Sequence, residues 1–418
     1  MKDHVTSKVV AAAVERNLLH DDYPIVGVLD LDAIESRIQE LRSAFPDGSA
    51  VRHHFAVKAC SFEAIVKLFA DNGIGAEVAS PGELKLALEA GLPASAIILD
   101  SPVKTESDLR TAMRNGVSFN IDNFEELELV DTLSSNEPLP GRVGVRINPQ
   151  TGSGRVESVS TASITSKFGI PLNYPDNRSR IIDAYRRRPW LTQIHVHTGS
   201  LTCPLDLIAE SIAVIYDLAL AINAEIGEDQ IKSIDIGGGL PVAQNPDESS
   251  PSFADYVDAV RRRVPSLFDG TFEVVTEFGR AFVAEAGAVI TRAQYTKPVG
   301  DRTVVLAHAG AQIASRTVYD PESWPISVTV HRADGRAKTN EQTAHDIAGP
   351  CCFAGDLIAT NRQLPTVESG DFIFLHNMGA YYLSSHYAYN DLPPIGISGF
   401  RQNGSELTFE TIRPQPQM

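Results

Sequence analysis

Short apolar, β-rich runs alternate with longer helix-like segments through the first two-thirds of this sequence, and that alternation constrains the fold more than any other feature. The runs are His54–Lys58, Ala76–Ala79, Ile97–Asp100, Ser118–Ile121, Val143–Ile147, Gln193–His197, Ser233–Ile236 and Glu273–Glu277, eight in all. Between them, Ser61–Asp71, Pro81–Glu89, Glu106–Asn115, Phe124–Leu133 and Leu205–Ile226 carry apolar residues at three- and four-residue spacing, with glycine after several of their ends. Eight strand-then-helix units predict a closed (β/α)8 barrel rather than an open sheet, with its chemistry at the C-terminal ends of the strands. A barrel takes about 250 residues. The chain has 418, so a second domain is expected.

That second domain begins near Glu285, where Val304–His308, Ile326–His331, Phe372–Leu375 and Leu407–Thr411 are short runs separated by turn residues. The expected division is a barrel over residues 28–284 and a β-rich domain over 285–418, with 1–27 as an N-terminal extension. Gln150–Ser166, crowded with Gly, Ser and Thr, and Gln244–Pro251 read as surface loops.

Composition narrows the class of partner. With 36 Lys and Arg against 53 Asp and Glu, the net charge is −17, which argues against nucleic acid or an anionic membrane. The N-terminus lacks the apolar core of a secretory signal, and no segment approaches the ~20 apolar residues of a membrane span. Cys60, Cys203, Cys351 and Cys352 imply no disulfide framework, the last two being adjacent. A cytoplasmic, reducing location is expected.

The candidate chemistry gathers at the predicted strand ends. Lys58 closes the first run in an apolar context, where a desolvated amine would be neutral enough to add to an aldehyde. Asp235-Ile236-Gly237-Gly238-Gly239-Leu240-Pro241 places three glycines just past a strand, so backbone N–H groups can approach an anion. His197-Thr198-Gly199-Ser200 and Glu277-Phe278-Gly279-Arg280 follow two other strands, and phosphate sites after the late strands recur in such barrels.

These residues resemble the fold-type III pyridoxal-phosphate (PLP) enzymes, specifically the ornithine and diaminopimelate decarboxylase group. The resemblance extends through Glu77-Val78-Ala79-Ser80-Pro81-Gly82-Glu83-Leu84, Ser166-Lys167-Phe168-Gly169, Gly349-Pro350-Cys351-Cys352 with Gly355-Asp356, and Gly379-Ala380-Tyr381. It implies a PLP-binding TIM barrel of the alanine racemase-like kind followed by a β-rich domain. It also implies that Lys58 carries the cofactor, that His197 stacks on the pyridine ring and that Glu277 bonds the ring nitrogen. Ser200, Gly237, Gly238, Gly239, Gly279, Arg280 and Tyr381 would hold the phosphate, with Glu77 and Arg146 in the same ring of residues. Cys352 takes the position of a cysteine that reaches a neighbouring subunit's site and returns a proton, which implies a homodimer with composite sites.

One departure and one loose match bear on the substrate. Where the ornithine and diaminopimelate enzymes have an acidic residue for the distal amine, this chain has Phe353. Burying an unpaired ammonium against a phenyl ring costs several kcal/mol, with about 0.5–2 returned by cation–π attraction. Arg316 loosely matches an arginine for a substrate carboxylate, and with Tyr319, Phe353 and Tyr381 it completes the candidate substrate contacts. Phe278 stands where the family usually has proline. No metal is expected: the histidines are not spaced for one, and His195, on the strand face of His197, has no cysteine or carboxylate cluster for a neighbour. The expected function is decarboxylation of an amino acid that is not a simple basic diamino acid. The alternatives are a racemase or epimerase on the same fold and a non-catalytic homologue acting by protein binding.

Overall fold

The computed structural model describes residues 3–157, 160–201, 203–244, 249–404 and 406–416. Residues 158 and 159 of the expected loop Gln150–Ser166, and 245–248 of the loop Gln244–Pro251, lie outside the described residues. The chain divides into two compact units, one of residues 38–242 with 250–281, the other of 1–37, 243–249 and 282–418.

The first unit is a closed parallel barrel. Its strands, in order, are Val51–Ala56, Gly75–Val78, Ile97–Leu99, Ser118–Ile121, Val143–Asn148, Leu191–His195, Ser233–Asp235 and Glu273–Phe278. Each pairs with the next, and the eighth closes on the first, with Glu277 opposite His54. Each of the eight expected runs corresponds to one of these strands. Local signals fix the helices between them. Pro81–Glu89 starts at Ser80, whose hydroxyl accepts the Glu83 N–H at 3.2 Å, while the Glu83 carboxylate accepts the Ala79 N–H at 2.7 Å; such caps are worth about 1 kcal/mol. Glu106–Asn115 opens on a Thr105/Asp108 capping box and ends at Gly116 with φ +75°. Asn177–Arg187 and Phe253–Arg263 are further helices, beyond those the spacing singled out.

Strand alternation decides what faces the interior. Phe55 stacks on Phe69 of the helix Glu63–Asp71, ring centroids 3.9 Å apart, so His54 and Ala56 turn the other way, into the barrel. That interior is polar where most barrels are aliphatic. Gln193 Nε2 donates to Asn120 Oδ1 at 2.9 Å, Ser233 Oγ donates to Gln193 Oε1 at 3.0 Å, and Asn120 Nδ2 reaches Asp235 Oδ2 at 3.4 Å, all of them buried. Because each of these groups has a partner, the layer is retained without the penalty of orphaned polar atoms.

The second unit is a mixed β-sheet. Ile25–Asp30 lies between Gly287–Val299, antiparallel to it, and Ile397–Asn403, parallel to it. Arg302–Ala307, Val328–His331, Gln342–Ala348, Leu357–Pro365, Phe372–Leu375 and Glu406–Arg413 complete the sheet. The helix Asp3–Glu15 sets Val5, Val9, Val10 and Ala13 in one cluster with Val26, Val28, Ile290, Phe374 and Phe400. Residues 28–37 cluster with the β unit rather than the barrel, because Ile25–Asp30 finds its hydrogen-bond partners there. Among the described residues, no helix is long and apolar enough to cross a membrane.

Candidate active site

Lys58 sits in a short 3-10 turn, Val57–Ala59, immediately after the first barrel strand. Its ammonium donates to both oxygens of Glu77, at 2.6 and 2.7 Å. Glu77 is brought there by the second strand, where it pairs in register with Ala56. The expectation of a desolvated, neutral lysine is corrected by this geometry: the Lys58 side chain is 40% exposed and ion-paired, whereas the Glu77 side chain is 0% exposed. Burial pushes the Glu77 carboxyl up, with the Lys58 ammonium pulling against it.

Deeper in the barrel, acids from three strand ends meet one imidazole. His195 Nδ1 lies 3.6 Å from Asp100 Oδ1, and His195 Nε2 lies 3.6 Å from Glu277 Oε2. Asp235 stands in register beside His195 on the neighbouring strand. The sequence expectation that His195 lacks a carboxylate cluster is therefore overturned; the acids come from distant parts of the chain and converge only when the ring closes. Burial alone would strip the His195 proton, but Asp100, Asp235 and Glu277 outweigh it and raise the ring to about 9. For Glu277, burial opposes ionisation, yet His195 and Lys58 hold the carboxyl well below its ordinary value. Burial and the nearby Glu277 push Asp235 well up. Arg146 also lies in this layer, its Nη1 3.3 Å from Asp100 Oδ2 and its guanidinium 4.4 Å from the Phe168 ring centre.

The rim is built for an anion. Gly237 and Gly239 adopt φ of +64° and +100°, conformations that favour glycine. A Cβ on Gly238 would lie 2.3 Å from the Glu277 carbonyl oxygen, and one on Gly239 would lie 2.2 Å from that of Gly199. The Gly238 N–H donates to His197 Nδ1 at 3.2 Å, and burial lowers the His197 ring to about 3, so it is neutral. Arg280 Nε donates to Ser200 Oγ at 3.2 Å, joining the ends of the sixth and eighth strand segments. Gly279 passes close to the turn that carries Lys58, where a Cβ would meet those of Ala56 and Ala59 at 3.0 Å. Phe278, in place of the family's proline, is a core anchor whose ring meets Phe253 and Tyr256 edge-on at 5.1 Å.

The remaining candidates belong to the β unit. Cys352 is exposed, and its N–H donates to Asn390 Oδ1 at 2.7 Å. Cys351 is buried, which pushes its thiol up to about 11. Both oxygens of Asp356 are engaged by the N–H groups of Ala311 and Cys351, at 2.6 and 2.7 Å. Phe353 stacks parallel to Tyr319, centroids 5.8 Å apart, and meets Tyr389 at 5.2 Å. A hydrogen bond with Tyr387 raises the Tyr319 phenol to about 12. The Arg316 guanidinium lies over two rings, Trp324 at 4.7 Å and Tyr381 at 4.8 Å.

Within the barrel, then, an amine, a glycine-lined anion cradle with an arginine, and a buried carboxylate share one end of the strands. Among the described residues, Glu277 Oε1 is buried with no hydrogen-bond partner, which fits a group that carries its own N–H. The donor set thus suits a phosphorylated pyridine aldehyde.

Residues 31–284 match the family described as pyridoxal-dependent decarboxylase, pyridoxal binding domain. A diaminopimelate decarboxylase from Aquifex aeolicus is 28% identical over 376 residues, covering 89% of this chain and 85% of that protein. An L-glutamyl-(BtrI acyl-carrier protein) decarboxylase from Niallia circulans is 30% identical over 395 residues, covering 92% of this chain and 89% of that protein. The solved diaminopimelate decarboxylase from Helicobacter pylori, complexed with L-lysine, shares the fold at a TM-score of 0.82 and 24% identity over 96% of each chain. The lysine/ornithine decarboxylase from Vibrio vulnificus, complexed with putrescine, does so at 0.77 and 23% identity, over 95% of this chain and 98% of that one.

Fold and site together define a PLP-dependent carboxy-lyase. The chain belongs to the fold-type III PLP-dependent decarboxylases, the group of the diaminopimelate and ornithine enzymes.

Proposed function

We propose that this enzyme decarboxylates an α-amino acid whose far end is not a free ammonium. The observation that carries the reading is Phe353, set in a stack with Tyr319 where the basic-substrate enzymes place an acid. A carboxylate three residues further on does not replace it, since both oxygens of Asp356 are engaged by backbone N–H groups. Arg316, held between Trp324 and Tyr381, suits a carboxylate on the substrate instead. One relative is named for decarboxylating a glutamyl group on an acyl-carrier protein, a substrate with no distal ammonium, which supports the same class.

Lys58 would hold PLP, Glu277 would face its ring nitrogen and His197 its ring, while Ser200, Gly237, Gly238, Gly239, Gly279 and Arg280 would hold its phosphate; for Tyr381 the same role rests on the resemblance alone. When bound, PLP supplies an electron sink for the carbanion left as carbon dioxide departs. Glu277, as a buried anion, keeps a proton on the group it faces. His197, neutral, brings no competing charge to the ring. Glu77 and Arg146 fix the position of charge around Lys58, and Cys352 returns the proton that replaces the carboxylate. The resemblance implies that this cysteine serves a neighbouring subunit's site, and a cytoplasmic homodimer is the working form that the proposal takes.

Carbon dioxide release by the holoenzyme across amino acids with ammonium, neutral and carboxylate far ends tests the reading. Turnover of the neutral or carboxylated members, with lysine, ornithine and diaminopimelate at least about tenfold poorer in kcat/KM, is expected. Equal or better turnover of the diamines would overturn it.

A further inference from the structure

His195 is a buried titratable group to which the reading above gives no task. It is 0% exposed, on the sixth barrel strand, with one ring nitrogen 3.6 Å from Asp100 and the other 3.6 Å from Glu277. At these separations the ring interacts with both acids chiefly through charge. The groups around it come from most of the ring. Asp100 follows the third strand and is shared with Arg146 of the fifth; Asp235 ends the seventh and is bonded by Asn120 of the fourth; Glu277 is on the eighth. Glu77, on the second strand, and Lys58 contribute charge further along the same interior, and His197 lies two residues on.

Buried carboxylates packed together cannot all remain ionised without a cation among them. Lys58 pairs directly with Glu77 and Arg146 with Asp100, whereas His195 is the cation set 3.6 Å from Glu277 and in register beside Asp235. We propose that His195 is a positioning residue for the decarboxylation: as an imidazolium lodged between Asp100 and Glu277, it keeps Glu277 a carboxylate and so sets how firmly the cofactor's ring nitrogen stays protonated. The inference rests on the assignment of Glu277 to that nitrogen. A neutral side chain at 195 lets Asp235 and Glu277 share one proton, and Glu277 then loses its hold on the ring.

The test compares His195→Gln with Glu277→Ala, both as holoenzymes and as apoproteins. In His195→Gln, PLP is expected to dissociate about tenfold more readily, and kcat to fall about 10–100-fold with KM within about threefold. The pH midpoint of the cofactor absorbance should also shift. Unchanged affinity and an unchanged absorbance titration in His195→Gln, alongside clear losses in Glu277→Ala, would overturn the role of His195 and leave that of Glu277 standing. If Glu277→Ala itself holds PLP with an unchanged spectrum, the Glu277 assignment fails and the inference falls with it.

The apoprotein supplies a readout independent of turnover. A ring raised from 6.5 to about 9 stabilises the fold fully below pH 6.5 and loses that contribution as pH rises through 9. The wild-type decline over this window should flatten in His195→Gln. Should that variant not fold, nitrogen NMR of the wild-type apoprotein decides: one buried histidine protonated on both ring nitrogens at pH 8 supports the inference, and its absence overturns it.

Discussion

The Lys58 ammonium is clasped by both oxygens of Glu77, at 2.6 and 2.7 Å, with the acid wholly buried and the lysine 40% exposed. In the apoprotein the proposed nucleophile is thus held as a cation, and it must shed a proton before it can add to an aldehyde. Capture of PLP by the apoprotein is expected to accelerate as pH rises. In Glu77→Gln, which removes the charge and keeps the shape, that rise should move to lower pH, as followed by cofactor absorbance. Lys58→Ala should remain colourless and lose more than about 10³-fold in kcat/KM.

Phe353→Asp restores an acid in the aromatic stack formed with Tyr319 and Tyr389. Turnover of lysine, ornithine or diaminopimelate should rise at least about tenfold, and that of the preferred substrate should fall. No change in either would place the distal pocket elsewhere.

The glycine cradle tolerates no side chain. Gly239→Ala puts a Cβ 2.2 Å from the Gly199 carbonyl oxygen at a φ of +100°. We expect a loss of about 1–3 kcal/mol in urea unfolding, together with weaker PLP retention.

Acid should destabilise the barrel through two neutral histidines, His54 buried and His53 half-buried. Burial lowers His53 and His54 from 6.5 to about 4 each, so the unfolded chain takes up protons that the folded one refuses. Their contribution is intact above pH 6.5 and is lost as pH falls towards 4. His54→Asn should flatten the decline in that window, measured by thermal unfolding of the apoprotein.

If Cys352 serves a neighbouring subunit's site, Lys58→Ala and Cys352→Ala complement each other. Each homodimer alone is nearly inactive, while a mixture refolded together should regain about a quarter of wild-type activity, because a mixed dimer has one intact site. Failure to recover any activity would argue for sites completed within a single chain.

The barrel was legible because buried parallel strands are nearly continuous apolar runs. Ser118–Ile121, Pro81–Glu89, Glu106–Asn115 and Leu205–Ile226 match expectation residue for residue. Ile25–Asp30 is a run of the same kind, yet its partners are Gly287–Val299 and Ile397–Asn403, and nothing local to it says so. The acids around His195 escaped for the same reason, since Asp100, Asp235 and Glu277 are far apart in sequence. A partial signal did exist. His195 and His197 share strand parity, and Asp100 ends one expected run while Asp235 stands one residue before the end of another, as inward acids near the strand ends would.

Seven of the eight barrel pairings join consecutive strands, and only one joins the ends of the unit, Val51–Ala56 with Glu273–Phe278. During synthesis, Lys58, Glu77, Asp100, Arg146 and His195 all leave the ribosome before the strand that carries Glu277. The last carboxylate of the site therefore arrives with the seam itself. A nascent chain can gather the amine and its counter-ion early, but it acquires the acid expected beneath the ring nitrogen only when the circle is shut, so cofactor loading can report that folding of the barrel is complete.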